Sequence, residues 1–423
     1  MSWFASSAPT GPNIHPVQLN FPDQNALFGP LVQQDTEWQC SGGIGPTETQ
    51  SYYHTQKDGS LVMVQIIYSS IGMWYPQIQF TFRYCNPKTN TNLFKSVSVS
   101  NFVTAPSAKL DKRSCKSDQF SITLDPATPN KYTIEGKFDN DVQVSLVYEA
   151  VTPGFKVGAG PKGGFTYFGQ LNGKVTQGDA PDTAAGGDGY CIHRIWPRCK
   201  VSGILRIGKD VHDVEGSRGT FLHAIQGMRP NLLAAKWNFA NFQSLEDDGV
   251  SLIMMEFTTP PAYGSKVINL GAVVVGDKLV SVTAGGSGVV GGSSATHENP
   301  IKDKETGYDA PSSIKYVWEG ASLEGEGNQL QAVKGGKVHA VLTEDLVTDA
   351  EGYKTRGLVE KVDVLGHIPY LVRKFVNYAA GTKPYIYTWL NPVKASITLS
   401  NGTETKTIDA QGLVFSESTF ISS

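Results

Sequence analysis

The chain has 423 residues, 36 lysines and arginines against 39 aspartates and glutamates, and a formal net charge of −3. That length allows two domains of about 200 residues each, and a 40% hydrophobic composition supplies enough apolar mass to fill real cores. No basic run is dense enough to neutralise a phosphate backbone, which excludes nucleic acid as a partner, and no apolar run reaches the ~18 residues of a membrane-spanning helix.

The first residues, Met1 to Pro9, lack the basic and apolar regions of a secretory signal, so a cytoplasmic protein with a flexible segment over 1–15 is expected. Trp3 and Phe4 offer weak peripheral membrane contact at most. Five cysteines, an odd number at irregular spacing, fit reduced thiols better than a disulfide framework.

Period-two alternation then dominates. Leu61 to Tyr68, Gln77 to Tyr84, Phe120 to Leu124, Tyr132 to Phe138 and Val142 to Tyr148 read as strands between turn residues. Glycines cluster at 154–169 and 186–189 around a polar segment, Gln170 to Thr183, that reads as a long exposed loop. The domain division is placed after that loop, giving a first barrel over 16–195 and a second over 196–423.

The strand style continues in Val201 to Ile207, Val250 to Thr258, Lys266 to Val275, Lys278 to Thr283, Ile314 to Trp318, Val338 to Leu342 and Ser396 to Ser400. Short strands at this spacing predict an all-β sandwich or barrel with little helix. A short helix is expected near Asn231 to Ala235 and another from Pro369 to Tyr378, stopped at Gly381. Asn401-Gly402 predicts a two-residue type I′ hairpin turn, which needs positive φ at both positions.

Ready-made chemistry is scarce. Gly286-Ser-Gly-Val-Val-Gly291 matches the dinucleotide fingerprint in letters, but the residues after it have no helical periodicity, so it reads as a loop. Cys191, His193 and Cys199 lack a fourth partner for a zinc site, so no metal is expected. Hydrolase elbows, zincin helices and P-loops are missing.

What stands out is Cys191 to Arg198 and the stretch after it. Alternation along a strand puts Arg194, Trp196 and Arg198 on one face and His193, Ile195 and Pro197 on the other. With His223, Gln226, Arg229, Asn238, Asn241 and Glu256, and with Trp237 and Tyr263 beside them, these are polar groups among apolar strands. A buried Arg–Glu pair there is either a structural pin or a ligand-orienting device. Tyr385, Tyr387 and Trp389 form an aromatic stripe at period two, for which packing is the simpler reading.

The same segments resemble the fungal survival-factor family. The matching residues are Trp196 to Cys199, Phe221 to Met228, Ala235 to Phe239, Met255 to Pro261 with Tyr263 to Ser265, Ala380 to Tyr387 and Phe415 to Ile421, with weaker echoes at Glu48 to Gln50 and Val64 to Ser69. The resemblance implies two lipocalin-like (calycin) β-barrels packed together and a cofactor-free carrier of ceramide between endoplasmic reticulum and Golgi. It departs at the amino terminus, where Trp3 and Phe4 are followed by Pro9 and Pro12 and by no basic residue of an interfacial helix.

That departure makes the chain similar also to the fungal hetero-Diels–Alderases of tropolone sesquiterpenoid pathways, which implies joining an o-quinone methide to a humulene-type alkene. Under that reading Arg194 or Arg229 donates to the methide oxygen and His193 or His223 is the acid. Glu256 fixes the arginine, Trp196, Trp237 and Tyr263 are walls, and Gln226, Asn238 and Tyr385 complete the substrate site. The cofactor-free pericyclase is the expectation adopted, with the lipid carrier as its alternative and a purely structural interaction protein as a third reading.

Overall fold

The structure, a computed structural model, describes residues 13–40, 46–70, 76–105, 109–160, 162–170, 187–246, 249–346, 357–364 and 384–421. The alternation seen in the sequence becomes antiparallel strand over most of them. In the first sheet the spatial order is Thr91–Ser98, Gln77–Asn86, Leu61–Ser69, Thr47–Thr55, Ser217–Gln226, Gly189–Ile207, Val142–Ala150, Lys131–Phe138, Phe120–Leu124, then short strands at Cys115–Lys116 and Val103–Thr104. The sheet curls until Phe80, near one end of that order, meets Phe120 and Phe138, near the other, at ring-centroid distances of 4.7 and 3.9 Å.

The second sheet runs Lys278–Gly286, Val267–Val275, Val250–Thr258, Lys236–Gln243, Thr405–Phe420, Tyr385–Ser400, Gln331–Asp345, Ser313–Glu324 and Ser294–Glu298. It curls likewise, with Ser281 Oγ donating to the Ala321 carbonyl at 2.9 Å and the Trp318 indole N–H crossing to the Ile253 carbonyl at 2.8 Å. Gly271 makes that crossing possible, because a Cβ there would lie 3.0 Å from the Trp318 ring. The protein is all-β, two lipocalin-like barrels packed together. The α-helices among the described residues, Val17–Asn20 and Pro230–Leu233, have four residues each, and no described helix is long and apolar enough to cross a membrane.

The division expected after Ile195 falls inside the Gly189–Ile207 strand. The sheets change over between Gln226 and Lys236, where the short helix expected near Asn231 lies at Pro230–Leu233. The glycine cluster at 154–169 contains the short strands Phe155–Val157 and Phe165–Phe168, and the strand from Gly189 belongs to the first sheet. Residues 171–183 of the expected loop, the expected helix from Pro369 to Tyr378, and Trp3 and Phe4 lie outside the described residues.

Asn401 begins a four-residue connection rather than a type I′ turn, since Ser400 pairs with Thr405. Its side-chain oxygen accepts from the N–H of Thr403 at 3.0 Å and Glu404 at 2.8 Å, and of these loop residues only Gly402 has positive φ. Local bonding by an asparagine side chain replaced the tighter turn.

A broad apolar seam joins the barrels. Tyr53 from the first packs on Phe239 and Phe415 from the second at 5.5 and 5.7 Å, within a buried cluster that also holds Met63, Leu222, Ile253 and Leu270. Polar pins cross it. Arg198, fully buried, donates to Ser251 Oγ at 2.9 Å and to the carbonyls of Ser244 and Glu246 at 3.3 and 2.8 Å. Thr220 Oγ1 donates to Asn241 Oδ1 at 3.1 Å, and Arg83 pairs with Glu360.

Arg198 was expected beside Arg194 and Trp196. A β-bulge between Trp196 and Cys199 shifts the register by a residue, so Arg198 faces the seam while Arg194 and Trp196 face the first barrel's interior. The same bulge puts Cys199 in the first barrel's core and leaves Cys191 in the seam cluster, so the two thiols diverge.

Candidate functional site

Strand register sorts the inward side chains of the first barrel into rows. Trp196, Phe221, Tyr52, Val64 and Phe82 lie side by side on neighbouring strands. Their rings touch: Tyr52 meets Phe221 at 4.9 Å and Tyr132 at 5.5 Å, and Trp196 meets Tyr132 and Phe221 at 5.1 and 5.0 Å. Rings in mutual contact leave this interior solid.

The next row, toward the Thr47/Gly189 end, holds Arg194, His223, Gln50, Ile66 and Phe80. Arg194 Nε donates to Asp35 Oδ1 at 3.0 Å, and Lys156 Nζ donates to the same carboxylate at 2.8 Å. His223 Nε2 lies 2.9 Å from Glu48 Oε1 and its Nδ1 3.3 Å from the Asp35 carbonyl. Glu48 also receives the backbone N–H of Gln39 and Cys40. The partner of Arg194 is therefore Asp35, not the expected Glu256.

The second barrel is built differently. One inward row contains Asn269, Glu256, Asn238, Ser418 and Tyr387. Glu256 accepts from Asn238 Nδ2 at 3.1 Å, Asn269 Nδ2 at 2.8 Å and the Ala295 N–H at 3.0 Å, while Asn238 Oδ1 accepts from Ser418 Oγ at 3.0 Å and lies 2.8 Å from His297 Nε2. Burial raises the Glu256 pKa against these bonds and pushes that of His297 down to about 3, helped by the Lys236 charge. Apart from Asn269 Oδ1, which is buried without a partner, this row is bonded within itself as a structural pin.

The adjacent row, Gly271, Met254, Ala240, Ser416 and Trp389, is made mostly of small or flexible residues, and Tyr316 and Glu344 are buried in the same interior. Here the polar atoms are not matched. Glu344 Oε1 accepts from Asn391 Nδ2 at 2.8 Å, but Glu344 Oε2, Tyr316 OH, Ser416 Oγ and Trp389 Nε1 are buried without a hydrogen-bond partner. Ser416 stands near both Glu344 and Tyr316, close enough to favour their ionised forms, yet in no geometry that makes a bond. Burial pushes the Glu344 carboxyl up to about 7. The first barrel also has unbonded atoms, Trp38 Nε1, His54 Nε2 and Tyr132 OH, but no carboxylate oxygen is among them.

The expected site residues divide among several places instead of one pocket. Arg194, His223 and Trp196 line the first barrel. His193, half-buried Trp237 and Gln226 belong to the seam side, where His193 lies 5.9 Å from the Trp237 ring and burial holds its pKa down to about 4, so it is neutral at pH 7. Arg229 caps the Pro230–Leu233 helix between the barrels. Tyr263 bonds Asp188 at 2.8 Å across the halves, and Tyr385 is half-buried at a strand end.

Glu256 and Asn238 fall within the second barrel, one row from the unmatched atoms, and Tyr385 packs against the same core near its strand end. Tyr316, Glu344 and Ser416 were missed; their signal, a glutamate at an inward position of an alternating strand, needed the strand's register to be read. A hollow of about 540 Å³ on the outer face of the first barrel, ringed by Lys116, Glu135, Lys137 and Arg206, is open to solvent and does not enclose a ligand. Among the described residues no group of His, Cys, Asp and Glu is spaced to hold a metal ion.

Comparison with known proteins adds the following. The model of the Svf1 family matches residues 4–422. Proteins named ceramide-binding protein svf1 are 32% identical in Aspergillus fumigatus, over 94% of this chain and 92% of theirs, and 33% identical in Emericella nidulans with the same coverage. A Debaryomyces hansenii protein of the same name is 32% identical over 97% of this chain and 93% of its own. Among solved structures, CghA with Sch210972 aligns at 12% identity and a TM-score of 0.49, covering 89% of each chain. Kievitone hydratase from Nectria haematococca aligns at 11% and 0.49, covering 97% and 98%. The relatives' names overturn the hetero-Diels–Alderase expectation and agree with its alternative; the structural likenesses are too distant to argue for an enzyme.

Proposed function

Because the chain belongs to the Svf1 family, we propose that it binds a ceramide-class lipid and that the interior of the second barrel receives the lipid's polar end. The observation that carries this is the cluster of Glu344 Oε2, Tyr316 OH, Ser416 Oγ and Trp389 Nε1, buried together without partners. Each such atom costs about 1–3 kcal/mol while it stays unbonded. An amide with neighbouring hydroxyls offers donors to Glu344 and acceptors to Tyr316, Ser416 and Trp389. Phe242, Met254 and Leu342 supply apolar surface for hydrocarbon in the same core.

The finer reading is a cytoplasmic carrier that meets membranes weakly through Trp3 and Phe4. It follows from lipid binding together with the family resemblance and stands or falls with transfer of lipid between vesicles.

The direct test is titration with a fluorescent short-chain ceramide. Loss of one buried hydrogen bond to the ligand is worth about 1.4 kcal/mol or more, a tenfold change, so Tyr316→Phe and Ser416→Ala should each weaken binding about tenfold. Undiminished binding by both variants moves the site out of this barrel. No binding by the unaltered protein ends the ceramide reading itself.

A further inference from the structure

We propose that the Thr47/Gly189 end of the first barrel is a separate site for a phosphate-type oxyanion, held by the Nη1 edge of Arg194 and the hydroxyl of Tyr167. It does not depend on the lipid site in the other barrel.

Strand pairing brings the parts together. Phe165 and Tyr167 lie opposite Ile192 and Tyr190, and His15 lies opposite Tyr167, so these side chains share a face with Arg194. Phe165 and Tyr167 stack at 5.4 Å, and the Arg194 guanidinium sits 5.3 Å from the centre of the Phe165 ring. Three polar atoms on that face are buried without a partner: Arg194 Nη1, Tyr167 OH and His15 Nε2. The Arg194 and Tyr167 side chains are over nine-tenths buried, at 4% and 5% exposure.

Charge on this face is uneven. Lys156 and Arg194, both buried, share the single carboxylate of Asp35. Glu48, the other buried acid here, is engaged by His223, whose two ring nitrogens both face oxygen acceptors. Glu48 is further engaged by the backbone N–H of Gln39 and Cys40, so its bonds go elsewhere while two buried cations share the one Asp35 carboxylate. The Lys162 charge acts on His15 as well. A buried cation with a free donor edge is complemented by an anion with several acceptor oxygens, which a guanidinium binds through paired N–H groups.

The oxyanion can be free or can be the headgroup of a phospholipid. Calorimetry with inorganic phosphate and with soluble dihexanoyl phosphatidic acid tests both sources on the full chain. Binding of either that weakens about tenfold in Tyr167→Phe and is lost in Arg194→Gln is the expected result. Equal affinity for the two probes assigns the site to a free oxyanion, and tighter binding of the lipid assigns it to a headgroup. Tyr167→Phe keeps the shape of the face, so it decides the matter if Arg194→Gln fails to fold. Absence of binding for both probes, or binding that both variants leave unchanged, overturns the proposal.

Discussion

The two barrels share a curled antiparallel sheet and differ in what fills it. The first is packed with rings, Phe80 on Phe138 at 3.9 Å and Tyr52, Tyr132, Trp196 and Phe221 against one another. In the second, one row of polar groups is bonded around Glu256 with a single oxygen, Asn269 Oδ1, left over, and the next, between Gly271 and Trp389, leaves several. The contrast teaches that one scaffold can rest its interior on ring packing or on polar rows, and among the described residues only the second barrel leaves a buried carboxylate oxygen without a partner.

Removing a ring from the solid barrel should cost most. Phe138→Ala takes out a side chain that stacks on Phe80 and meets Phe82, and unfolding by urea should show a loss of about 3–5 kcal/mol. Ceramide affinity measured where the variant stays folded should be unaltered. A loss under about 1 kcal/mol would mean that the first interior yields as easily as a cavity.

The second expectation concerns pH. The Glu344 carboxyl is held at about 7 in the folded chain against about 4.3 when unfolded. The native state therefore holds the extra proton between those values, and stability contributed by the protonated group falls as pH rises through that window. The full effect is at most about 4 kcal/mol by linkage. Burial pushes Glu417 up to about 7 as well, and it acts with the same sign, although its half-buried side chain reduces its share. Glu344→Gln should flatten the decline from pH 5 to pH 8 in stability measured by denaturant; an unchanged slope would assign it to other acids.

The smallest effect is the most diagnostic. Tyr316→Phe removes an unbonded hydroxyl, so the ligand-free protein should gain about 1 kcal/mol while its ceramide affinity drops. A loss of stability in the same variant would show that the hydroxyl already has a partner, and the second barrel would then resemble the first.

Much of the fold was legible. Alternation placed Phe120 to Leu124 and Val250 to Thr258 at their observed bounds, because a strand with one buried face must alternate. The site was legible in residue type more than in place. Arg194 and Trp196 share a face as expected, but the bulge before Cys199 carries Arg198 to the seam, and no local pattern announces an inserted residue. Glu256 was rightly read as buried, yet its partners come from strands that meet it only through sheet order, as do those of Glu344. Pairing between distant segments is what alternation alone leaves open.

The seam has a consequence for biosynthesis. The last strand of the first sheet ends at Gln226, and the surface that covers Tyr53, Met63 and Leu222 is encoded after it, through Phe415. At about 5–20 residues per second, the remaining 197 residues (423 less 226) take on the order of 10–40 s to synthesise. For that interval the nascent first half shows an apolar face to solvent, a surface that other unfinished chains could cover as readily as its own second half.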